Sequence, residues 1–525
     1  MSGKPNIVLI VVDHQAYYRH GWDGGVRPQT PNFDRLASEG ISFNRSYCAT
    51  PLCGPARRTL LTGLYTHNHK NYYNYSEAPY DHEIYFDRLA EHGYRNYYFG
   101  KWHAGPGTPF DFHCEGFSDT DYGNPYITKE YHQYLKSRGL PRAEHLVERA
   151  FWNDLFLKLF PYLQIGNHYK CNRSWCGEHA SGLTLTPKET HESFFLANLA
   201  CDKLTELALA ADDQPFHLRV DFWGPHQPHF PTKEFAELYD PDGIEEYGSF
   251  QDLLNKKPSF FFEDTNQPLS DMNNRFRVPS PLTWKEWQKI IARAYAHITM
   301  VDAAGGIILD KLDQLGLSDN TIVIWTADHG DALASHGGRF DKGSYMTEEV
   351  IRVPLAIRYP KEISPGQVSE ELVCSMDLPI TILDVAGTGF ENKVDGQSLL
   401  PLFNGEANGW REDLMVETFG HGYGKFHNGR LVLAGNYKYI TYAGEISELY
   451  DLKNDPYELH NLIDEPQYKK NVEDMQKRLK VLQHRSGDNG FDDKAFQKAI
   501  EADGDLLTAL ARRRETKLRE RKAYL

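Results

Sequence analysis

The run Asn6–Asp13 (NIVLIVVD) is apolar and largely β-branched between two polar ends. With no polar alternation, it reads as a strand buried on both faces, as in a parallel sheet. Thr321–Gly330 (TIVIWTADHG) and VPLAIRYP, from Val353, repeat the pattern, and FHLRVDFWGPH reads as a strand entering a loop. Between them the apolar positions change to helical spacing. TPNFDRLASEG predicts a helix with Thr30 as N-cap, Pro31 at the first position and a stop at Gly40. EIYFDRLAEHG predicts another, stopping at Gly93 before a strand that ends near Gly100. AHITMVDAAGGIILDKLDQLG is a third. This alternation over the first 390 or so residues predicts an α/β domain with a doubly wound, mostly parallel sheet flanked by helices.

From about Val394 the pattern becomes short polar–apolar alternation, as in RLVLAGNYKYITYAG, with turn residues between the runs. It predicts a smaller C-terminal antiparallel sheet. The division is therefore residues 1–393 and residues 394–525. Residues 110–188 are rich in Tyr, His, Asn and Gly, lack the buried-strand pattern, and read as an insertion over the sheet edge. The final DLLTALARRRETKLRERKAYL predicts a charged surface helix, with a homo-oligomer contact as the alternative.

Composition adds limits. The 525 residues are 40% hydrophobic and 25% charged, as in a globular protein, with a formal net charge of −16. That balance gives nucleic acid or an anionic membrane no global attraction, so an anionic substrate needs a local cationic cluster. No segment reaches the roughly 18 apolar residues of a membrane span. The N-terminal apolar run is short, ends in Asp and His, and is followed by no small-residue cleavage site. This predicts a cytoplasmic protein, unless a leader has been trimmed from the chain. Seven cysteines do not suggest a disulfide framework, although a Cys171–Cys176 pair stays open.

Candidate chemistry gathers at the ends of these elements. In PLCGPARRTLLTG, Pro55 fits the first turn of a helix and Gly63 its stop, which puts Cys53 at a helix N-terminus. Asp13, Asp328 and His329 end the two most apolar strands, and ligands bind at the carboxyl ends of such strands. Two carboxylates and an imidazole there suit a hard divalent cation. In GKWH, Lys101 and His103 face one side of an extended chain. GPHQPHFP carries His226 and His229 on a proline-stiffened loop, and GRFDKGSY places Lys342 between glycines.

These pieces, in this order, resemble the sulfatase signature Cys-x-Pro-x-Arg and its companion motifs, from about Lys4 to Asn461. The resemblance implies membership of the alkaline phosphatase-like superfamily. It implies oxidation of Cys53 by a formylglycine-generating or sulfatase-maturing enzyme to formylglycine (3-oxoalanine), an aldehyde held as its hydrate. One hydrate oxygen would lie on the cation and attack sulfur of a small-molecule or saccharide sulfate ester. The implied cation is Ca²⁺, with Mn²⁺ and Mg²⁺ as alternatives, held by Asp13, position 53, Asp328 and His329. Arg57, Lys101 and Lys342 would hold the sulfate, His226 would protonate the leaving alcohol, and His103 would deprotonate the second hydroxyl. Two positions depart from the pattern. Many sulfatases carry a second Asp where this chain has His14, which either replaces a carboxylate ligand or turns away, and Ala56 stands where Ser is usual.

Two other readings remain. CGPAR with LTGLY also resembles the phosphonate monoester hydrolase branch, where Asn74 would contact the substrate; on either reading His229, on the loop of His226, is a candidate substrate contact. A cysteine left unmodified, acidified by the helix terminus, would make the protein a metal- and anion-binding scaffold. Tyr72, Tyr73, Tyr75 and Trp102 either stack on a sugar ring or pack a loop.

Overall fold

The computed structural model describes residues 3–17, 25–150, 161–173, 180–210, 212–263, 282–342, 344–421, 426–501, 516 and 519–521. Eight strands form the central sheet: β1 (Asn6–Asp13), β2 (Ile41–Phe43), β3 (Arg95–Lys101), β4 (Cys114–Asp119), β5 (Phe216–Pro225), β6 (Thr321–Ala327), β7 (Leu355–Arg358) and β8 (Gln367–Ser369). Their order is β8-β2-β7-β6-β1-β5-β3-β4. β1 lies between β6 and β5, parallel to both. Its side chains alternate between two cores: Val8, Ile10 and Val12 on one face, Ile7, Leu9 and Val11 on the other. Both faces are dry, which is why the run shows no polar alternation.

VPLAIRYP forms a buried strand, but β7 runs antiparallel to both β6 and β2. A buried apolar run carries no signal of direction, because each face looks the same from either end.

Four helices matter for the site: α1 (Pro31–Ser38), α2 (Cys53–Thr62), α3 (Glu192–Ala210) and α4 (Trp284–Gln314). α1 starts where the sequence predicts, with Thr30 at the N-cap, but the Thr30 side chain makes no cap bond. Instead Asp302 of α4 accepts from the Asn32 and Phe33 backbone N–H groups at 3.0 and 2.9 Å. A carboxylate beats a hydroxyl as an acceptor at a helix N-terminus, and α4 delivers one.

The segment expected as one insertion divides. Cys114–Asp119 is the edge strand of the central sheet, parallel to β3. Glu115 and Gly116 are exposed there, which removes the apolar run that marks the inner strands. Beyond it lies a three-stranded antiparallel sheet of His145–Ala150, His168–Tyr169 and Ala180–Thr184. Cys176 lies outside the described residues.

The C-terminal sheet is antiparallel and four-stranded, in the order Asp413–Thr418, Gly429–Ala434, Tyr437–Tyr442, Glu448–Asp451. The helix Lys469–Ser486 buries Met475, Leu479 and Leu482. Most of the predicted terminal charged helix lies outside the described residues. Of those described, Arg521 pairs with Asp119 at 2.6 Å.

Candidate active site

All ten residues of α2 are buried, with Cys53 first and Pro55 third, where a missing N–H costs nothing. Gly63 ends the helix at φ 68°, and its N–H donates to the Thr59 carbonyl. The open N-terminal amides are fewer than the sequence suggests. Asn74 Oδ1 accepts from the Gly54 N–H at 2.8 Å, so Asn74, expected at the substrate, here caps the helix that carries Cys53.

The ends of β1 and β6 close over Cys53. Ligand atoms of Asp13, Cys53, Asp328 and His329 lie within 4.8 Å of one another, and all four residues are buried. His329 Nε2 is 3.1 Å from Cys53 Sγ, and Asp13 Oδ1 is 3.7 Å from it. His329 Nδ1 sits 2.8 Å from the Gly330 carbonyl, the arrangement that places the proton on Nδ1 and leaves the Nε2 lone pair for a cation. Asp328 Oδ1 accepts the backbone N–H groups of His14 and His329 at 3.0 and 2.9 Å. Two carboxylates, an imidazole and the side chain of position 53 thus fit a divalent cation.

Around this set stand the cations. Arg57 reaches Asp221 at 2.7 Å, Asp328 at 3.0 Å and Asp13 at 3.6 Å. Lys101 donates to Asp13. Burial alone would raise the Asp13 carboxyl, but Lys101 and Arg57 hold it well below the usual carboxylate range. Burial, and then the Asp13 carboxylate, push the Cys53 thiol up to about 12. The helix terminus does not acidify it, contrary to the expectation from position alone. Removing a thiolate from water costs more here than a helix end returns.

His103 is buried at φ 45°, close to Tyr75 and Tyr122 (ring centroids 5.1 and 5.7 Å). Burial, with Lys101 and Arg57 beside it, keeps its ring neutral and able to accept a proton. The intervening Trp102 points the other way, into the core beside Tyr98 and Phe112. Tyr72 and Tyr73 pack with Phe419 and Phe496, so both serve packing between subdomains.

Lys342 Nζ lies 2.8 Å from Asp341 and 3.3 Å from His226 Nε2. His226 Nδ1 lies 2.8 Å from the Gln227 carbonyl, which points Nε2 at the ammonium. Burial, then Lys342 and His14, hold His226 well below its usual value, while Asp341 overrides burial and raises Lys342. The proton of this pair therefore rests on Lys342. His14, at φ 70°, turns away from the Cys53 group: its Nε2 is 3.1 Å from Asp341 and 3.7 Å from Asp331.

His229, the other residue expected at the substrate, is held elsewhere. Its backbone pairs with the insertion: Gly182 N–H donates to the His229 carbonyl at 2.9 Å, and His229 N–H to Ala180 at 3.2 Å. The ring faces His297, with centroids 5.8 Å apart. The residue that sequence reasoning missed is Asp221, the anchor of Arg57. The signal was available: an Arg219–Asp221 pair, two apart and so on one face, inside the buried β5.

A doubly wound sheet that gathers carboxylates, imidazoles and a helix-borne cysteine at the carboxyl ends of its strands has the architecture of an alkaline phosphatase-like hydrolase. The Sulfatase family model matches residues 5–388, and that of the N-sulphoglucosamine sulphohydrolase C-terminal region matches residues 335–485. The chain belongs to the sulfatase family, whose members hydrolyse sulfate esters. It is 27% identical to an N-acetylglucosamine-6-O-sulfatase of Bacteroides thetaiotaomicron, over 94% of this chain and 88% of that one. It is 29% identical to an arylsulfatase of Clostridium perfringens, over 93% and 96%. In fold it is similar to the phosphonate monoester hydrolase of Agrobacterium radiobacter, with a TM-score of 0.73 at 24% identity, covering 92% and 96%.

Proposed function

We propose that the chain hydrolyses sulfate monoesters of saccharide or aryl alcohols, using formylglycine made from Cys53 and a divalent cation, Ca²⁺ by ligand type. The carrying observation is the convergence of Asp13, Asp328 and His329 on the side chain at position 53. Two carboxylate ligands favour a hard ion. The saccharide class is supported by the Bacteroides relative, which aligns along nearly the whole chain.

When present, the cation supplies Lewis-acid activation and the hydrated aldehyde supplies the attacking oxygen. The chain's own residues do the rest. Arg57, fixed by Asp221 and Asp328, and Lys101, fixed by Asp13, present positive charge beside position 53. The S–O bond to the alcohol breaks, and the ester oxygen takes a proton from the Lys342–His226 pair. A sulfate ester brings one negative charge to this pair and raises the proton affinity of His226, so the proton moves from Lys342 toward the leaving oxygen. Neutral His103 would accept a proton from the second hydroxyl at position 53 as the bond between the residue 53 carbon and the sulfate oxygen breaks, and water would add back to the aldehyde. One water is consumed, and the products are the alcohol and sulfate.

Lys101 and His103 beside position 53, in the sulfatase form GKWH, favour sulfur over phosphorus esters. The test is parallel turnover of an aryl sulfate, sulfated saccharides, a phosphate diester and a phosphonate ester, with Cys53→Ala as control. Sulfate esters are expected to be fastest and the control inactive. Faster phosphorus esters would overturn the substrate class.

A further inference from the structure

Behind His226, between the insertion sheet and helices α3 and α4, lies an enclosed cavity of about 30 Å³. His145, His191, Glu192 and His297 line it. Ligand atoms of His191, Glu192 and His297 lie within 4.8 Å of one another, and all three residues are buried. His297 stands 5.4 Å from His191 and 5.8 Å from His229, centroid to centroid. Neither ring nitrogen of His297 has a hydrogen-bond partner, nor does His145 Nε2. Buried polar atoms are rarely left so; a cluster of them signals a water or an ion.

We propose that His191, Glu192 and His297 form a second, structural metal site that takes Zn²⁺, with His229 or a water completing the tetrahedron. Imidazole nitrogens with one carboxylate are the donors zinc favours, whereas the Cys53 centre is richer in oxygen. The cavity has room for an ion and little else. Ser193 competes for two of the ligands: its hydroxyl donates to Glu192 Oε1 at 3.3 Å, and its N–H donates to His191 Nδ1 at 3.2 Å, which leaves the His191 proton on Nε2. Ligation through Nε2 shifts that proton to Nδ1 and costs a helix-cap bond. Such a cap is worth about a tenth of the affinity of a structural zinc, so the metal prevails. The site ties the starts of α3 and the middle of α4 to the loop of His226 and His229.

The test is metal analysis of protein purified from zinc-supplemented cells, with anomalous diffraction at the zinc edge. Wild type is expected to retain roughly one zinc per chain, with an anomalous peak between His191 and His297. The Asp13→Asn/Asp328→Asn double variant should keep that zinc, and His297→Gln should lose it. Should His297→Gln fail to fold, Co²⁺ added to the chelator-stripped double variant still decides, through the visible absorption of a tetrahedral nitrogen–oxygen site. No retained zinc and no such band, or a peak at Cys53 alone, overturns the proposal. Because the readout is metal content, its failure leaves the sulfate-ester reading untouched, and the reverse holds too.

Discussion

Arg57 of the cysteine-bearing helix and Asp221 of β5 meet at 2.7 Å with both side chains fully buried. Asp221 also takes two bonds from Arg219, at 2.6 and 2.8 Å. Asp221 therefore holds the Arg219 guanidinium and shares that of Arg57 with Asp328 and Asp13, helping to aim Arg57 at position 53. Asp221→Asn removes the charge without changing shape. It leaves the cations undercompensated, so the expected loss is about 3–5 kcal/mol of stability. A displaced Arg57 is expected to lower kcat/KM about 100-fold. Urea denaturation and steady-state kinetics on an aryl sulfate check both. A variant of normal stability and activity would show that Asp221 does not position Arg57.

An unconverted Cys53 has neither the attacking hydrate oxygen nor the second hydroxyl through which sulfate would be released. Protein made without a maturing enzyme should therefore be inactive between about pH 6 and 9. Activity should rise in proportion to the converted fraction seen by intact-protein mass. Cys53→Ser should be inactive in turnover as well, since serine lacks the second hydroxyl. Full activity with an intact thiol would refute the nucleophile.

The Lys342–His226 pair predicts a leaving-group effect. His226→Ala should cost about 10²–10⁴-fold on alkyl or sugar sulfates, and much less on nitrophenyl sulfate, whose phenolate needs little protonation. Lys342→Met should show the same asymmetry, because the resting proton is on Lys342. Equal losses on both substrate types would show that the pair is not the acid.

His67 joins the segment after the cysteine-bearing helix to the C-terminal sheet through Glu417, Nδ1 to Oε1 at 2.6 Å. Burial would lower its pKa, but Glu417 overrides this and lifts it from 6.5 to about 9. The folded value lies above the unfolded one, so the stabilisation is complete below about pH 6.5. It is lost as pH rises through about 9, a difference of roughly 3 kcal/mol. Unfolding free energies from urea denaturation at pH 6 and pH 10 should differ by that much more in wild type than in His67→Gln. Parallel curves would remove His67 from the account.

Much of the site was legible in the chain because its residues sit at punctuation. Asp13, Asp328 and His329 end the runs that the hydrophobic effect buries, and the carboxyl ends of such strands meet. Cys53, Pro55 and Gly63 mark a helix start and stop by local backbone rules. Lys101 opposite Trp102 follows from the two-residue period of an extended chain. All of these depend on neighbours within a few residues. The antiparallel course of β7, the exposed edge strand Cys114–Asp119, the capping by Asp302 and Asn74, and the aim of His229 do not. Each depends on a partner far along the chain: which strand pairs, which carboxylate reaches a helix end, which insertion strand zips onto a loop. His14 shows the limit best, since its position leaves open whether it replaces a carboxylate ligand or turns away. Its backbone at φ 70° and the carboxylate of Asp341, 327 residues later, turn it away. Local sequence sets periodicity and termini, because those are settled by sterics and burial along the chain; pairing and aim are settled only when distant segments compete for the same buried polar groups.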